Sequence, residues 1–357
     1  GKGVIDGSRR KKIVGINALA QRFTAWGTIY TGIAAKDYMD GTGNFYGVHS
    51  VTLYVDSVQV FRSVTDEVSP NENRMINGFT DYEELTRTRR LIMRSYKLPG
   101  NRLRLLHPNE NRGAVTIDEE RDYHFRYVLE DNFGNRRTYQ FIVKGKRQDI
   151  PEYKPEANEM LYWNRTNVIQ KPGMELVVPR YYVYEDVPLR TDMRGDSSHI
   201  AFDYILDAGR TPIHSYCDLS IGLRHMPVAD TTKYYIVQKA GKWRSSMGGK
   251  YANGWIKTRV RSLGTFSVDV DTIAPQITPI GQGGWRTSRN IRFRIKDMES
   301  GIGSYKVYID GKFVLFGLKK GILVIQNPEK VKKGVSHKLE VTVTDQCGNM
   351  TRKEYKF

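Results

Sequence analysis

One pattern occurs twice in this chain, and it constrains the fold more than any other feature. Near the amino-terminal end, Val51-Thr52-Leu53-Tyr54-Val55-Asp56-Ser57 is followed by Tyr123-His124-Phe125-Arg126-Tyr127-Val128-Leu129-Glu130-Asp131-Asn132-Phe133-Gly134-Asn135. Near the carboxyl-terminal end, Tyr305-Lys306-Val307-Tyr308-Ile309-Asp310-Gly311 is followed by Lys338-Leu339-Glu340-Val341-Thr342-Val343-Thr344-Asp345-Gln346-Cys347-Gly348-Asn349. In each copy an alternating segment enters an Asp-led turn. A second alternating segment then enters an Asp-x-x-Gly-Asn turn. Alternation at period two places one face of a strand in a core and the other in water. A repeated hairpin unit predicts an all-β protein of tandem Ig-like β-sandwich modules.

Length sets the number of modules. A chain of 357 residues holds two or three domains of common size. Three are expected here. An Ig-like sandwich covers 1–148, with a helical insertion at about 64–121. A central sandwich covers 149–271, and an Ig-like sandwich closes the chain at 272–357. Thr80 with Glu83 reads as a capping box that opens the insertion's one short helix. The prolines of Asp149-Ile150-Pro151-Glu152-Tyr153-Lys154-Pro155 mark the first join. Asp271-Thr272-Ile273-Ala274-Pro275 marks the second. In the last module, Asn290 to Lys296 alternates cleanly: Ile291, Phe293 and Ile295 inward, Arg292, Arg294 and Lys296 outward. Asp345 is expected to hold its turn through its side chain. No apolar run reaches the roughly 18 residues that a spanning helix needs. No signal peptide opens the sequence, so a targeting segment would lie outside it.

The residues that could carry chemistry are scattered. The seven histidines, His49, His107, His124, His199, His214, His225 and His337, form no His-x-His pair. His199 and Asp203 are four apart, a spacing that would put both on one strand face, but no second histidine accompanies them. Neither a Gly-x-Ser-x-Gly nor a phosphate-binding loop is present. Cys217 and Cys347 fall in different modules and are read as two unpaired thiols. Asp37-Tyr38-Met39-Asp40-Gly41-Thr42-Gly43-Asn44 clusters oxygen donors around glycines without the spacing of an EF-hand. No catalytic or metal-ligating residue is assigned.

Charge is more informative. The formal net charge is +17, and its distribution is uneven. Between Thr231 and Val268 stand eight basic residues and no acidic one. Arg286, Arg289, Arg292, Arg294 and Lys296 follow soon after. Period two puts Lys257, Arg259 and Arg261 on one face of a strand, and Arg292, Arg294 and Lys296 on one face of another. Trp255 and Trp285 stand beside them. Cations in a row next to aromatic rings are suited to an anionic polymer, with rings that stack on sugars or hold Arg. The plainer reading is a solvated face that discourages edge pairing. The charge alone is not read as nucleic-acid binding, because no nucleic-acid motif accompanies it.

Several segments resemble a known family. They are Tyr46-Gly47-Val48-His49-Ser50-Val51-Thr52-Leu53-Tyr54-Val55-Asp56, Thr80-Asp81-Tyr82-Glu83-Glu84, Pro99-Gly100-Asn101-Arg102-Leu103, Glu119-Glu120-Arg121-Asp122-Tyr123, Arg224 to Tyr235, and Leu263-Gly264-Thr265-Phe266. Together they resemble the non-catalytic carboxyl-terminal region of LytM/lysostaphin-type zinc endopeptidases of Gram-negative bacteria, which cut peptidoglycan cross-links. The resemblance implies a peptidase domain ahead of Gly1, with zinc expected only there and no cofactor in this chain. It also implies a periplasmic or envelope location. The partners implied are that peptidase domain and an envelope glycan or acidic protein. The first functional reading is therefore a non-catalytic region that positions, regulates or docks a peptidase. The alternative is an adhesin-like or carbohydrate-binding β-sandwich array. An independent hydrolase comes last.

Overall fold

The structure is a computed structural model that describes residues 3–38 and 45–357. It is nearly all β, as the alternation predicts: 46% of residues are in strands and 7% are helical. Two compact units emerge. The first holds residues 1–167, 178–189 and 208–215, and the second holds 168–177, 190–207 and 216–357.

In the first unit an eight-stranded sheet runs in the order Gly3–Ile5, Phe23–Ile29, Arg136–Gly145, Asp122–Glu130, Ser50–Val55, Val58–Val64, Leu106–Pro108, with Val115–Ile117 also on Phe23–Ile29. Its buried face carries Leu53, Phe61, Phe125, Tyr127 and Ile117. The Ser50–Val55 and Val58–Val64 strands meet at Asp56 and Ser57, both at positive φ (48° and 71°). That backbone suits the right-handed twist of a two-residue hairpin. The insertion forms a one-turn helix, Ile76–Phe79, and a longer one, Tyr82–Thr88. The predicted capping box is displaced by one residue. Thr80 closes the first helix, and Asp81 caps the second by accepting from the Glu84 amide at 3.2 Å. The Asp81 carboxylate stands directly before Tyr82 and so reaches the free amide, whereas Thr80 is one residue too far back.

In the second unit one sheet runs Asp203–Asp207, Gly264–Val270, Tyr234–Ala240, Trp243–Ser246, with residues 190–194 paired to Asp203–Asp207. A second runs Met174–Val178, Cys217–Gly222, Trp255–Val260, Lys250–Ala252. Residues 271–275 are strandless and lead into a sandwich of two four-stranded sheets. One sheet is Gln276–Ile280, Arg292–Lys296, Ile322–Ile325, Phe316–Lys319; the other is Lys312–Phe313, Ile302–Ile309, Lys338–Asp345, Met350–Lys356. Between them lie Ile291, Phe293, Ile295, Val307, Leu339, Val341 and Val343, all buried. Alternation in the sequence therefore maps onto inside and outside here residue for residue.

Candidate ligand-binding face

The Trp255–Val260 strand sits between the Cys217–Gly222 strand and the edge strand Lys250–Ala252. Ile256 and Val260 are buried, at 0% and 2% exposure, and share a face with Thr258, so Lys257 and Arg259 turn outward. Lys257, Arg259 and Arg261 are exposed, as the period-two reading requires. Register then supplies neighbours that spacing alone could not. Lys257 pairs across to Lys250 on one side and Ser220 on the other. Arg259 stands opposite Asp218, and Ser220 opposite Glu175. The cations thus line one border of the face, and carboxylates begin on the strands beyond.

Aromatic rings anchor this border. The Arg259 and Arg261 guanidinium groups lie over the Tyr216 ring, 5.6 and 4.8 Å from its centroid. Such contacts hold the two cations in place without neutralising them. Trp255 is half-buried, and its indole passes over Gly222, where a Cβ would stand 3.6 Å from Cδ2 and Cε2. The indole is therefore laid against the sheet at Gly222, two residues from Lys257. Tyr251, on the neighbouring edge strand, is 36% exposed. Among the described residues, Lys257, Arg259 and Arg261 enter no ion pair within 4.0 Å.

The second cationic row is real but lies elsewhere. Arg292, Arg294 and Lys296 are exposed and stand opposite Ile280, Thr278 and Gln276. They belong to a sheet of the last sandwich, not to the sheet of Lys257. Trp285 requires a correction. It was expected beside the cations, yet it is 1% exposed, with Nε1 donating to the Ile280 carbonyl at 2.9 Å and its ring against Phe293, Tyr355 and Phe357. A large ring with one polar atom is better satisfied inside a core that offers an acceptor.

Other candidates are also placed. His199 and Asp203 do not share a site: His199 Nδ1 meets Asp196 Oδ1 at 2.9 Å, while Asp203 Oδ1 accepts from Lys239 Nζ at 2.6 Å. His199 precedes the Asp203–Asp207 strand rather than belonging to it, so the four-residue spacing does not bring the two together. Cys217 and Cys347 are buried thiols outside any disulfide, pushed up to about 12 and about 11 by burial. A thiol so far from ionising is a poor nucleophile. Within the Asp37–Asn44 stretch, residues 39–44 lie outside the described residues. In the first unit, a cavity of about 1120 Å³ lies against Phe23, Tyr30, Tyr96 and Phe141, with Arg94 and Arg137 on its walls. The Tyr30 and Tyr96 rings meet there, tilted by 49° with centroids 4.6 Å apart, a pairing no sequence pattern announces.

Comparison with known proteins adds a domain assignment. Residues 158–271 match the Zu5-like domain family. That region contains Trp255, Lys257, Arg259 and Arg261. No curated protein matches the chain. Among solved structures, a Ca2+-stabilised adhesin that helps an Antarctic bacterium bind ice aligns at 10% identity over 100% of this chain and 98% of that one, with a TM-score of 0.17. A 1.5-MDa bacterial ice-binding adhesin aligns at 9% identity over 88% of this chain and 86% of that one (TM-score 0.15). The Bacteroides ovatus mixed-linkage glucan utilisation protein SGBP-B, solved with a mixed-linkage heptasaccharide, aligns at 10% identity over 92% of this chain and 62% of that one (TM-score 0.14). Scores this low carry nothing about ligand or assembly.

Proposed function

We propose that the chain is a non-catalytic carbohydrate-binding β-sandwich array, adhesin-like in organisation, whose Zu5-like region takes an acidic polysaccharide. The observation that carries this reading is the face built on Trp255–Val260. The half-buried Trp255 indole lies against the sheet on the strand that carries Lys257, which pairs with Lys250, and Arg259 and Arg261 are held over Tyr216. The apolar face of a sugar ring packs on an indole, and its carboxylate or sulfate group is met by ammonium and guanidinium donors. The protein is placed at the cell surface or envelope, where such polymers occur. No helix among the described residues is long and apolar enough to cross a membrane.

Association with a LytM-type zinc peptidase, and with peptidoglycan as the ligand, rests on the sequence resemblance alone and is proposed on that footing. A peptidase domain encoded directly ahead of Gly1 supports it; an unrelated upstream domain removes it.

Retention on immobilised acidic and neutral polysaccharides and on peptidoglycan tests the main reading. The chain is expected on the acidic matrix at low salt and in the flow-through when the Debye length shrinks to about 3 Å at 1 M salt. Reversing Lys257, Arg259 and Arg261 to Glu abolishes retention. Retention unchanged in that variant, or absent on every matrix, contradicts the proposal.

A further inference from the structure

Three aspartates from separate segments converge in the second unit. Asp271 follows the Gly264–Val270 strand, Asp297 follows Arg292–Lys296, and Asp345 ends Lys338–Asp345. Each offers a carboxylate oxygen, and these oxygens all lie within 4.8 Å of one another. Asp271 and Asp345 are buried, at 0% and 4% exposure. Among the described residues no Lys, Arg or His forms an ion pair with any of the three. The nearby Lys233 Nζ donates instead to the Cys347 carbonyl at 3.0 Å. Backbone amides meet part of the demand: Ile273 and Ser300 on Asp271, Glu299 and Gly301 on Asp297, Cys347 and Asn349 on Asp345. Amides alone leave three like charges facing one another where water is scarce, an arrangement that is costly without a cation.

A second observation concerns the residue whose amide meets Asp271. Ser300 is 0% exposed, and its amide donates to Asp271 Oδ2 at 3.0 Å. Its hydroxyl turns toward the Cys347 side chain, in the turn that Asp345 organises. A thiol is a weak partner at best, and beyond it Ser300 Oγ makes no hydrogen bond of ordinary geometry. A buried hydroxyl left in this state calls for a ligand such as an ion.

We propose that Asp271, Asp297 and Asp345, with Ser300 Oγ, hold a calcium ion. The donors are all hard oxygens. Oxygens that all lie within 4.8 Å of one another can ligate one ion at Ca–O distances of about 2.3–2.6 Å. Mg2+ demands a tighter octahedron, with Mg–O distances of about 2.0–2.1 Å, and releases its water reluctantly. Asp297 belongs to one sheet of the last sandwich, Asp345 to the other, and Asp271 to the segment that enters it. One ion therefore ties the entry segment to both sheets.

Calorimetric titration of the EDTA-treated full chain with CaCl2, paired with thermal unfolding, tests the site. One ion per chain is expected. The melting temperature rises by about 5 °C at a hundredfold excess over the dissociation constant, and MgCl2 gives a much smaller shift. Asp345→Asn abolishes binding. Asp297→Asn, at the more exposed edge and still able to accept from the Gly301 amide, keeps the fold and weakens binding at least tenfold. No saturable heat with an unchanged melting temperature overturns the proposal. So does wild-type binding by a folded Asp297→Asn chain.

Discussion

The two Asp-x-x-Gly-Asn turns are built alike and live in different surroundings. In the first, the Asp131 carboxylate accepts from the Phe133 and Asn135 amides and from Asn135 Nδ2. In the second, Asp345 accepts from the Cys347 and Asn349 amides and from Asn349 Nδ2. Gly134 and Gly348 take the same left-handed backbone, at φ 85° and 79°. Yet Asp131 is only half-buried, in a turn whose next residues, 132–135, are exposed, and its hydrogen bonds from Asn135 hold its carboxyl below the ordinary range. Asp345 is buried, and desolvation, with Asp271 close by, pushes its carboxyl up. Local sequence writes the turn. Tertiary placement decides whether its aspartate is a solvated cap or a member of a buried acidic cluster.

Substitution at these aspartates should separate the two turns most widely. Asp345→Ala strands three donors in a buried place, at roughly 1–3 kcal/mol for each unmade bond, so a loss of about 3 kcal/mol is expected from urea unfolding. Asp131→Ala exposes the same donors to water and should barely move the midpoint. Equal losses would break the comparison.

A smaller effect is expected at the Asp-led hairpins, whose geometry is again shared. The second turn residue is Ser57 in one copy and Gly311 in the other, at φ 71° and 73°. Gly311→Ala should cost about 1 kcal/mol, because a Cβ is disfavoured in that conformation. Ser57→Gly should leave stability unchanged or raise it by up to about 1 kcal/mol. A stabilised Gly311→Ala chain would show that the backbone there is not what the φ values indicate.

The smallest predicted difference is one of pH. Asp56 Oδ2 is met by the Arg121 guanidinium at 2.6 Å, and Asp310 Oδ2 by His337 Nδ1, also at 2.6 Å. That bond, with desolvation opposing it and the Lys332 carbonyl adding to it, raises the His337 pKa above its ordinary 6.5. Its contribution to stability is complete below about pH 6.5 and is lost as pH rises through the raised folded value. Asp310 is lowered by the same contact, so its share holds above its ordinary 3.8 and fades as pH falls through the lower folded value. Melting of the last sandwich should therefore weaken between neutral and mildly alkaline pH. Arginine does not titrate there, so the first hairpin should show no such step. His337→Arg should flatten the profile, and a profile unchanged by that substitution contradicts the assignment.

The parts of this molecule legible in the sequence are those governed by period two. Ile291, Phe293 and Ile295 point inward, and Lys257, Arg259 and Arg261 point outward, because a strand leaves them no other choice. Both Asp-led hairpins could be read for the same reason. The parts not legible depend on register and on distant packing. Lys250 and Ser220 flank Lys257 only through strand pairing, and Tyr216 reaches Arg259 and Arg261 from just ahead of the adjacent strand Cys217–Gly222. A tryptophan near a basic strand can stack outward, as Trp255 partly does, or fill a core, as Trp285 does. Composition does not separate those outcomes. Nor does a count of acidic residues show that Asp271, Asp297 and Asp345, up to 74 residues apart in sequence, share one space.

Trp255 offers the most direct probe of the binding face. The Trp255→Phe chain, subtracted from wild type, isolates its fluorescence during titration with an acidic polysaccharide at low salt. Saturable quenching that weakens steeply as salt is added, and that vanishes when Lys257 and Arg259 are reversed to Glu, is the predicted result. A Trp255 signal that ignores the polymer, or that responds equally to a neutral one at high salt, would contradict the assignment of this face to an acidic carbohydrate.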